Sequence, residues 1–187
     1  MPFTPYHFGP GLALKGLGGG RFSFWAYTLA QVAIDVQPGI AILVPRAGLE
    51  PHAPYTHSIL TATAIGALAG LAAQWSAKHW LQGLPLPLRP NKTLQGRFWL
   101  LSGMLGAWLH ILLDSLVYPD MHPFWPLLRG NPLPISFQLA GMQVFCIAAG
   151  LIGAVLILLN LRRHKRKYVQ HRHIHPPARQ ITDIIEH

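Results

Sequence analysis

Charged side chains are scarce in this chain of 187 residues, of which only 11% are charged and 51% are hydrophobic. A soluble domain carries about 25% charged residues, so this chain has too few of them to cover a water-exposed globule of its size. Its length suits one compact unit. The scarcity of charge therefore argues against an ordinary soluble domain and favours a membrane protein.

Cysteine and acidic residues are also few. The single cysteine, Cys146, excludes a disulfide within the chain and a zinc site built from cysteines. Fifteen basic residues face six acidic ones, for a net charge of +9. The basic residues lie at the ends of apolar segments and in the last quarter of the chain. This distribution fits anionic lipid headgroups as partners, and we expect no nucleic-acid partner.

Four apolar segments each approach the ~20 residues that a helix needs to cross the hydrocarbon core of a bilayer. They lie at about 22–44, 58–75, 98–117 and 139–161. We therefore predict an all-α integral membrane bundle of about four transmembrane helices, with a re-entrant or short N-terminal helix. Pro38 is expected to break the first helix just after Asp35. The alternative, a soluble helical bundle, is disfavoured because the fourth segment has no polar stripe to face water.

Lysine and arginine predict the orientation of these segments. Thirteen of the fifteen lie before the first segment, between the second and third, or after the fourth, whereas the loops at 45–57 and 118–138 carry one each. The positive-inside rule then predicts a multi-pass protein of the inner (plasma) membrane with a cytoplasmic C-terminus. We expect a membrane-embedded domain over 1–161, a stiff proline-rich linker over 84–90, and a basic, His-rich tail over 162–187.

Ionisable residues inside such segments are costly and therefore mark candidate functional sites. His110 and Asp114 are four residues apart, so they share one face of a helix. The other candidates lie toward the external ends of the segments or just beyond them: Asp35, His57, Asp120 and His122. We expect all six near one face of the membrane.

Imidazoles and carboxylates together form a mixed nitrogen and oxygen ligand set that suits zinc, or manganese or iron less selectively. A divalent cation would compensate the buried charges of Asp35 and Asp114 and, with one open position, would activate water for hydrolysis. The alternative is a buried hydrogen bond in which Asp114 fixes the tautomer of His110. Ser58 is expected to cap the second helix rather than act as a nucleophile. No role is assigned to His52.

Several ordered motifs resemble a known family. They are the sequences TPYHFGPG at 4–11, Asp35 with Pro38, THS at 56–58, HILLD at 110–114 and PDMHPFWP at 119–126. Together they resemble the YdjM-like, LexA-regulated family of membrane-bound metal-dependent hydrolases, over residues 1 to about 160. The order of the histidines and aspartates also resembles, remotely, zinc-dependent phospholipase C and P1-type nucleases.

The resemblance implies a set of metal ligands: His7, Asp35, His57, His110 and Asp114. It also exposes one departure, because family members often carry arginine where this chain has Ala53. If that arginine binds a substrate phosphate, the activity or substrate of this protein differs. Asp120 and His122 are candidates for general acid/base roles or for orienting the ligands.

Three functions follow as hypotheses. The first is metal-dependent hydrolysis, with a phosphoester in or near the lipid as the expected substrate. The second is a carrier of divalent cations or protons, which would need polar groups continuing toward the cytoplasmic face. The third is a structural or stress-response membrane partner whose site is vestigial. For His7 to join the site, residues 6–17 must dip into the membrane and turn at the glycines 18–20. His7 should then lie within about 5 Å of His110 and Asp114; otherwise the N-terminal segment lies on the surface and His7 is uninvolved.

Overall fold

The computed structural model describes residues 4–80, 94–133 and 137–174, and within these residues every regular element is helical. The α-helices are α1 (Phe8–Gly18), α2 (Phe24–Leu43), α3 (Ile59–His79), α4 (Gly96–Ser115) and α5 (Leu139–Ile174). Short 3-10 turns lie at Thr4–His7, Gly19–Arg21 and Pro45–Ala47. The linker predicted over 84–90 and the end of the predicted tail, from residue 175, lie outside the described residues.

Helices α2, α3, α4 and the Leu139–Arg163 part of α5 are each long and apolar enough to cross a membrane. They coincide with the four predicted segments, and α1 is the predicted short N-terminal helix, so the predicted fold class is confirmed. The most apolar is Leu139–Arg163, with a mean hydropathy of 2.6. One difference is that α5 continues as helix to Ile174, which lies well inside the segment predicted as a tail.

The prediction that Pro38 ends the first helix is wrong, because α2 continues through Pro38 to Leu43. Proline removes one backbone hydrogen bond, to the carbonyl of Ile34. Helical hydrogen bonding nevertheless resumes beyond it, since the amide of Val44 donates to the carbonyl oxygen of Ile40 at 2.8 Å. In an apolar environment the remaining backbone groups have no water to bond, so continuing the helix is favoured over breaking it.

Helices α2, α3 and α4 pack closely on one another through small residues. A Cβ added to Gly66 of α3 would lie 2.7 Å from the carbonyl oxygen of Gly103 in α4, so the two backbones nearly touch. Such contacts between small residues are the usual means by which helices associate in lipid. The three helices share a buried core of Ala30, Ile34, Ala62, Ala69, Ala107, Ile111 and Met121.

Helix α1 and the start of α2 form a tight N-terminal hairpin. Gly19, with a φ of 53°, makes the turn, and the side chain of Ser23 caps α2 by accepting a hydrogen bond from the amide of Ala26. Lys15 closes the hairpin, because its Nζ donates to the carbonyl oxygens of Gly19 and Phe22, each at 2.8 Å. The turn therefore forms at the glycines where the sequence predicted it.

The hairpin is held against α5. Gly153 of α5 packs against the backbone of Leu12 and Ala13, with no room for a side chain between them. Asn160 of α5 donates to the carbonyl oxygen of Gly16 at 2.8 Å. At about 1.5 Å per residue, the 11 residues of α1 cover only about half of a bilayer core of ~30 Å. The hairpin thus brings His7 to the end of the bundle where α2 and α4 finish, which we call the site end.

Candidate metal centre

His110 lies at the centre of a cluster of buried side chains at the site end. Its Nε2 atom is 3.2 Å from Oδ1 of Asp35 and 3.2 Å from Oδ2 of Asp114. Its Nδ1 atom lies 2.7 Å from Oε1 of Gln31, whose own amide nitrogen donates to the carbonyl oxygen of Gly106 at 3.1 Å. Because Oε1 only accepts, Nδ1 carries a hydrogen, and in the neutral ring Nε2 presents a lone pair to the two carboxylates. This arrangement is repulsive unless Nε2 is protonated or a metal ion lies between the three groups.

His7 enters the same cluster from the N-terminal hairpin. Its Nε2 lies 3.5 Å from Oδ1 of Asp114, and its ring centroid lies 4.8 Å from that of His110. The hydroxyl of Tyr27 in α2 donates to the carbonyl oxygen of His7 at 2.9 Å and fixes the backbone there. The structure therefore has His7 within the predicted distance of the cluster, and not on a separate surface segment.

His57 approaches from the start of α3. Ser58 caps this helix and forms a capping box with Thr61, as the sequence predicted. The Nδ1 atom of His57 lies 2.8 Å from Oγ1 of Thr56, and this hydroxyl also lies within hydrogen-bond distance of carbonyl oxygens, among them Oε1 of Gln37 at 3.0 Å. When the hydroxyl donates to a carbonyl, Nδ1 of His57 donates to the hydroxyl and Nε2 keeps a lone pair. Burial lowers the pKa of His57 to about 4, so its imidazole stays neutral and able to ligate.

Several buried atoms of the cluster have no hydrogen-bond partner among the described residues: both ring nitrogens of His7, Nε2 of His57, Nε2 of His110 and Oδ1 of Asp114. Each such group costs about 1–3 kcal/mol when it stays unpaired, so their convergence calls for a ligand. Two sets have ligand atoms within 4.8 Å of one another, His7 with His110 and Asp114, and Asp35 with His57 and His110. These residues can hold a metal ion.

The two sets share one residue. Both include His110, and only its Nε2 is available because Gln31 occupies Nδ1. An imidazole nitrogen has a single lone pair and binds a single ion. The two sets therefore compete for one nitrogen and cannot both bind an ion through it at once.

Asp120 and His122 do not join this cluster. The side chain of Asp120 is 60% exposed, and its Oδ2 lies 2.7 Å from Nδ1 of His52. His122 is half-buried, with an Nδ1 atom that has no partner in the part of the chain that the structure describes. Both lie in the turns that follow α4, at the site end. Their acid/base roles stay predictions.

Sequence reasoning missed two residues that touch the cluster. Gln31 orients His110, and its position four residues before Asp35, on the same face of α2, was the available clue. His52 lies buried beside His57, with ring centroids 5.5 Å apart. It lies in a loop, where no periodicity indicates which side chains turn inward.

A protein-family model described as YdjM inner membrane protein matches residues 7–173. The match includes all five clustered residues and all four apolar helices. No curated protein and no solved structure matches the chain. With nearly the whole sequence matched, this chain belongs to the YdjM inner membrane protein family.

Proposed function

We propose that this protein is a membrane-bound, metal-dependent hydrolase whose metal is zinc. The ligands are the five clustered residues: His7, Asp35, His57, His110 and Asp114. The observation that carries the proposal is the convergence of these side chains around Nε2 of His110. Buried atoms of His7, His57, His110 and Asp114 have no hydrogen-bond partner there among the described residues. A set of imidazoles and carboxylates suits zinc. When bound, a divalent ion activates water and polarises an ester, which makes hydrolysis its natural chemistry.

The surroundings of Asp35 support a substrate that lies in or near the lipid. Asp35 is the most exposed of the five, with 21% of its side chain accessible. Val32 and Val36 flank it on α2 and are 46% and 53% exposed, so they present an apolar surface beside this partly exposed carboxylate. A phosphoester attached to a lipid would place its tail against such a surface and its charged group toward the metal centre.

The other polar residues act on the ligands or at the rim of the site. Gln31 fixes the ring of His110, and Tyr27 fixes the backbone of His7. Asp120 and His122 are the proposed acid/base or orienting groups. The 2.7 Å contact between Asp120 and His52 supports the orienting role for Asp120.

Orientation and domain organisation complete the proposal. The protein is a multi-pass inner-membrane protein with the site external and the C-terminus cytoplasmic. Basic residues at the described helix ends support this, because Arg21, Lys78 and Arg97 all lie at the end opposite the site. Residues 1–161 form the membrane-embedded metal domain, and the basic tail over 162–187 contacts anionic headgroups.

The core between the site and the opposite end supports a hydrolase over a carrier. In the described part of the bundle this region is filled by the buried residues Ala26, Ala73, Ala77, Leu94 and Trp99. The buried polar groups there are paired with each other, since the amide of Ser23 donates to Oγ of Ser102 at 2.9 Å. A carrier would need ionisable groups along this path.

Metal analysis of the detergent-purified protein tests the proposal. We expect about one zinc ion per chain, and we expect His110→Ala and Asp114→Ala to lose most of it because each removes a ligand. The matched control is His79→Ala, since His79 is exposed at the opposite end and bonds only the nearby carbonyl of Trp75 among described residues. Full zinc content in both site variants would refute the metal centre.

The carrier hypothesis makes a different prediction for the same protein. Reconstituted in liposomes, a carrier would move zinc across the bilayer and would leave a phosphodiester probe such as bis-p-nitrophenyl phosphate intact. We expect hydrolysis of the probe without zinc transport, and we expect His110→Ala to abolish it.

A further inference from the structure

A second group of polar side chains lies beside the metal centre, and we call it the rim cluster: His52, Tyr118, Asp120 and His122. All four lie in loops at the site end, outside helices α1 to α5. The rings of His52 and Tyr118 are in contact, with centroids 4.6 Å apart. The amide of Tyr118 donates to the carbonyl oxygen of Asp114 at 2.8 Å, which fixes this loop directly on a metal-centre residue.

His52 is held in place by Asp120. Nδ1 of His52 lies 2.7 Å from Oδ2 of Asp120, and a carboxylate accepts, so Nδ1 carries a hydrogen. The residue is only 6% exposed, and its Nε2 atom is buried with no hydrogen-bond partner among the described residues. Its ring lies edge-on to that of His57. Asp120 thus orients the ring of His52 so that Nε2, which has no partner among the described residues, is buried next to the metal centre.

Tyr118 supplies a second polar atom without a partner. Its hydroxyl oxygen is buried, and no described residue bonds it. A neutral tyrosine hydroxyl carries a hydrogen, so this group can donate a hydrogen bond. An unpaired buried donor in this position points to a ligand.

We propose that Tyr118 and His52 bind the oxyanion of the substrate, a phosphate or phosphoester group, beside the metal centre. The inference rests on the proposed function, because the cation is needed to offset the charges of Asp35 and Asp114, which alone would repel an anion. The hydroxyl of Tyr118 donates to one oxygen. With its hydrogen on Nδ1, the ring of His52 accepts at Nε2 a hydrogen bond from a second, protonated oxygen of the phosphate.

The neighbouring residue is consistent with this assignment. Ala53 follows His52 and is fully buried, so this position offers no charge to an anion. Tyr118 and His52 are the neighbouring polar groups that can bind an anion, and neither carries a formal positive charge. This predicts an anion site whose strength depends on hydrogen bonds and on the metal.

Binding of inorganic phosphate to the zinc-loaded protein, measured by calorimetry in detergent, tests the inference. A hydrogen bond to a charged group is worth enough that Tyr118→Phe should weaken phosphate binding about tenfold or more. Zinc content should not change, because the hydroxyl is not a ligand. Tyr55→Phe is the matched control, since Tyr55 lies in the loop of His52 and is exposed.

Asp120 is tested as a positioning residue. Asp120→Asn should weaken phosphate binding and release the fixed tautomer of His52, which nitrogen NMR of labelled histidine detects. Asp120→Glu should restore both, because it returns a carboxylate. Unchanged His52 resonances in Asp120→Asn would overturn this role.

The outcomes separate the inference from the proposed function. Native phosphate affinity in Tyr118→Phe overturns the inference. Loss of zinc in Tyr118→Phe also overturns it, because that result would show that Tyr118 supports the metal centre. A wild-type protein that binds zinc but not phosphate overturns the inference and leaves the metal centre standing. A wild-type protein that binds no zinc overturns both.

Discussion

Gly106 lies where α4 meets α2, and its replacement by alanine tests how packing sets the geometry of the metal centre. A Cβ added there would lie 2.8 Å from the carbonyl oxygen of Tyr27 and 3.1 Å from its Cα. Both are backbone atoms of α2, so no side-chain rotation removes the overlap. Ordinary contact begins at 3.4 Å, so α2 must retreat from α4 by roughly 0.6 Å.

This displacement is large on the scale of metal coordination. Helix α2 carries Asp35 and the two residues that hold the histidines, Gln31 and Tyr27. Metal–ligand distances are defined to about 0.2 Å, so a shift of roughly 0.6 Å exceeds that tolerance. We expect Gly106→Ala to lower zinc affinity about 10–100-fold, the range for changes that disturb ligand orientation. Overpacking of the helix contact should cost about 1–3 kcal/mol of stability.

Gly96→Ala is the matched control on the same helix. Its Cβ would meet only the side chain of Gln74, at 3.6 Å, which is ordinary contact. Alanine favours the interior of a helix over glycine by up to about 1 kcal/mol, so the gain is larger at Gly106 than at Gly96, the first residue of α4. The difference in unfolding free energy between the two variants is therefore a lower limit on the cost of the overlap at Tyr27. Thermal unfolding in detergent, with and without zinc, and a competitive zinc titration measure the two effects.

Equal zinc affinity in Gly106→Ala and Gly96→Ala would refute the reasoning that close packing of α2 on α4 sets the centre. A destabilised Gly106→Ala variant with native zinc affinity would show that Asp35 and its neighbours on α2 do not hold the ion. Only a combined loss of stability and affinity agrees with the structure.

Two further predictions concern orientation, of a ligand and of the chain. Gln31→Leu removes the acceptor for Nδ1 of His110, so zinc affinity should fall about 10–100-fold. The control, Gln143→Leu in α5, should leave zinc affinity unchanged. Equal zinc affinities in the two variants would exclude the orienting role of Gln31. A reporter fused after His187 should be active only if it works in the cytoplasm, because thirteen of fifteen Lys and Arg residues lie on the side predicted to be cytoplasmic. Alkaline phosphatase activity from that fusion would overturn the orientation.

The sequence alone predicted the four apolar helices, because the length and composition of a span follow from the thickness of the bilayer. It also identified the clustered ionisable residues, because a charged or titratable side chain in such a segment is costly and stands out. The cap at Ser58 followed from local hydrogen bonding within four residues. All three are local properties, which a short stretch of sequence contains.

The tertiary structure decided what depends on distant partners. Pro38 remains inside α2 because the apolar surroundings, and not the proline, determine whether the helix continues. Gln31 and Tyr118 are uncharged in their ordinary state, so their burial carried no warning in the sequence. The partner of Gln31 is 79 residues away, and that of His52 is 68 residues away. Such pairs form only when helix packing and loop paths bring the two residues together. The periodicity of one segment does not predict these long-range contacts.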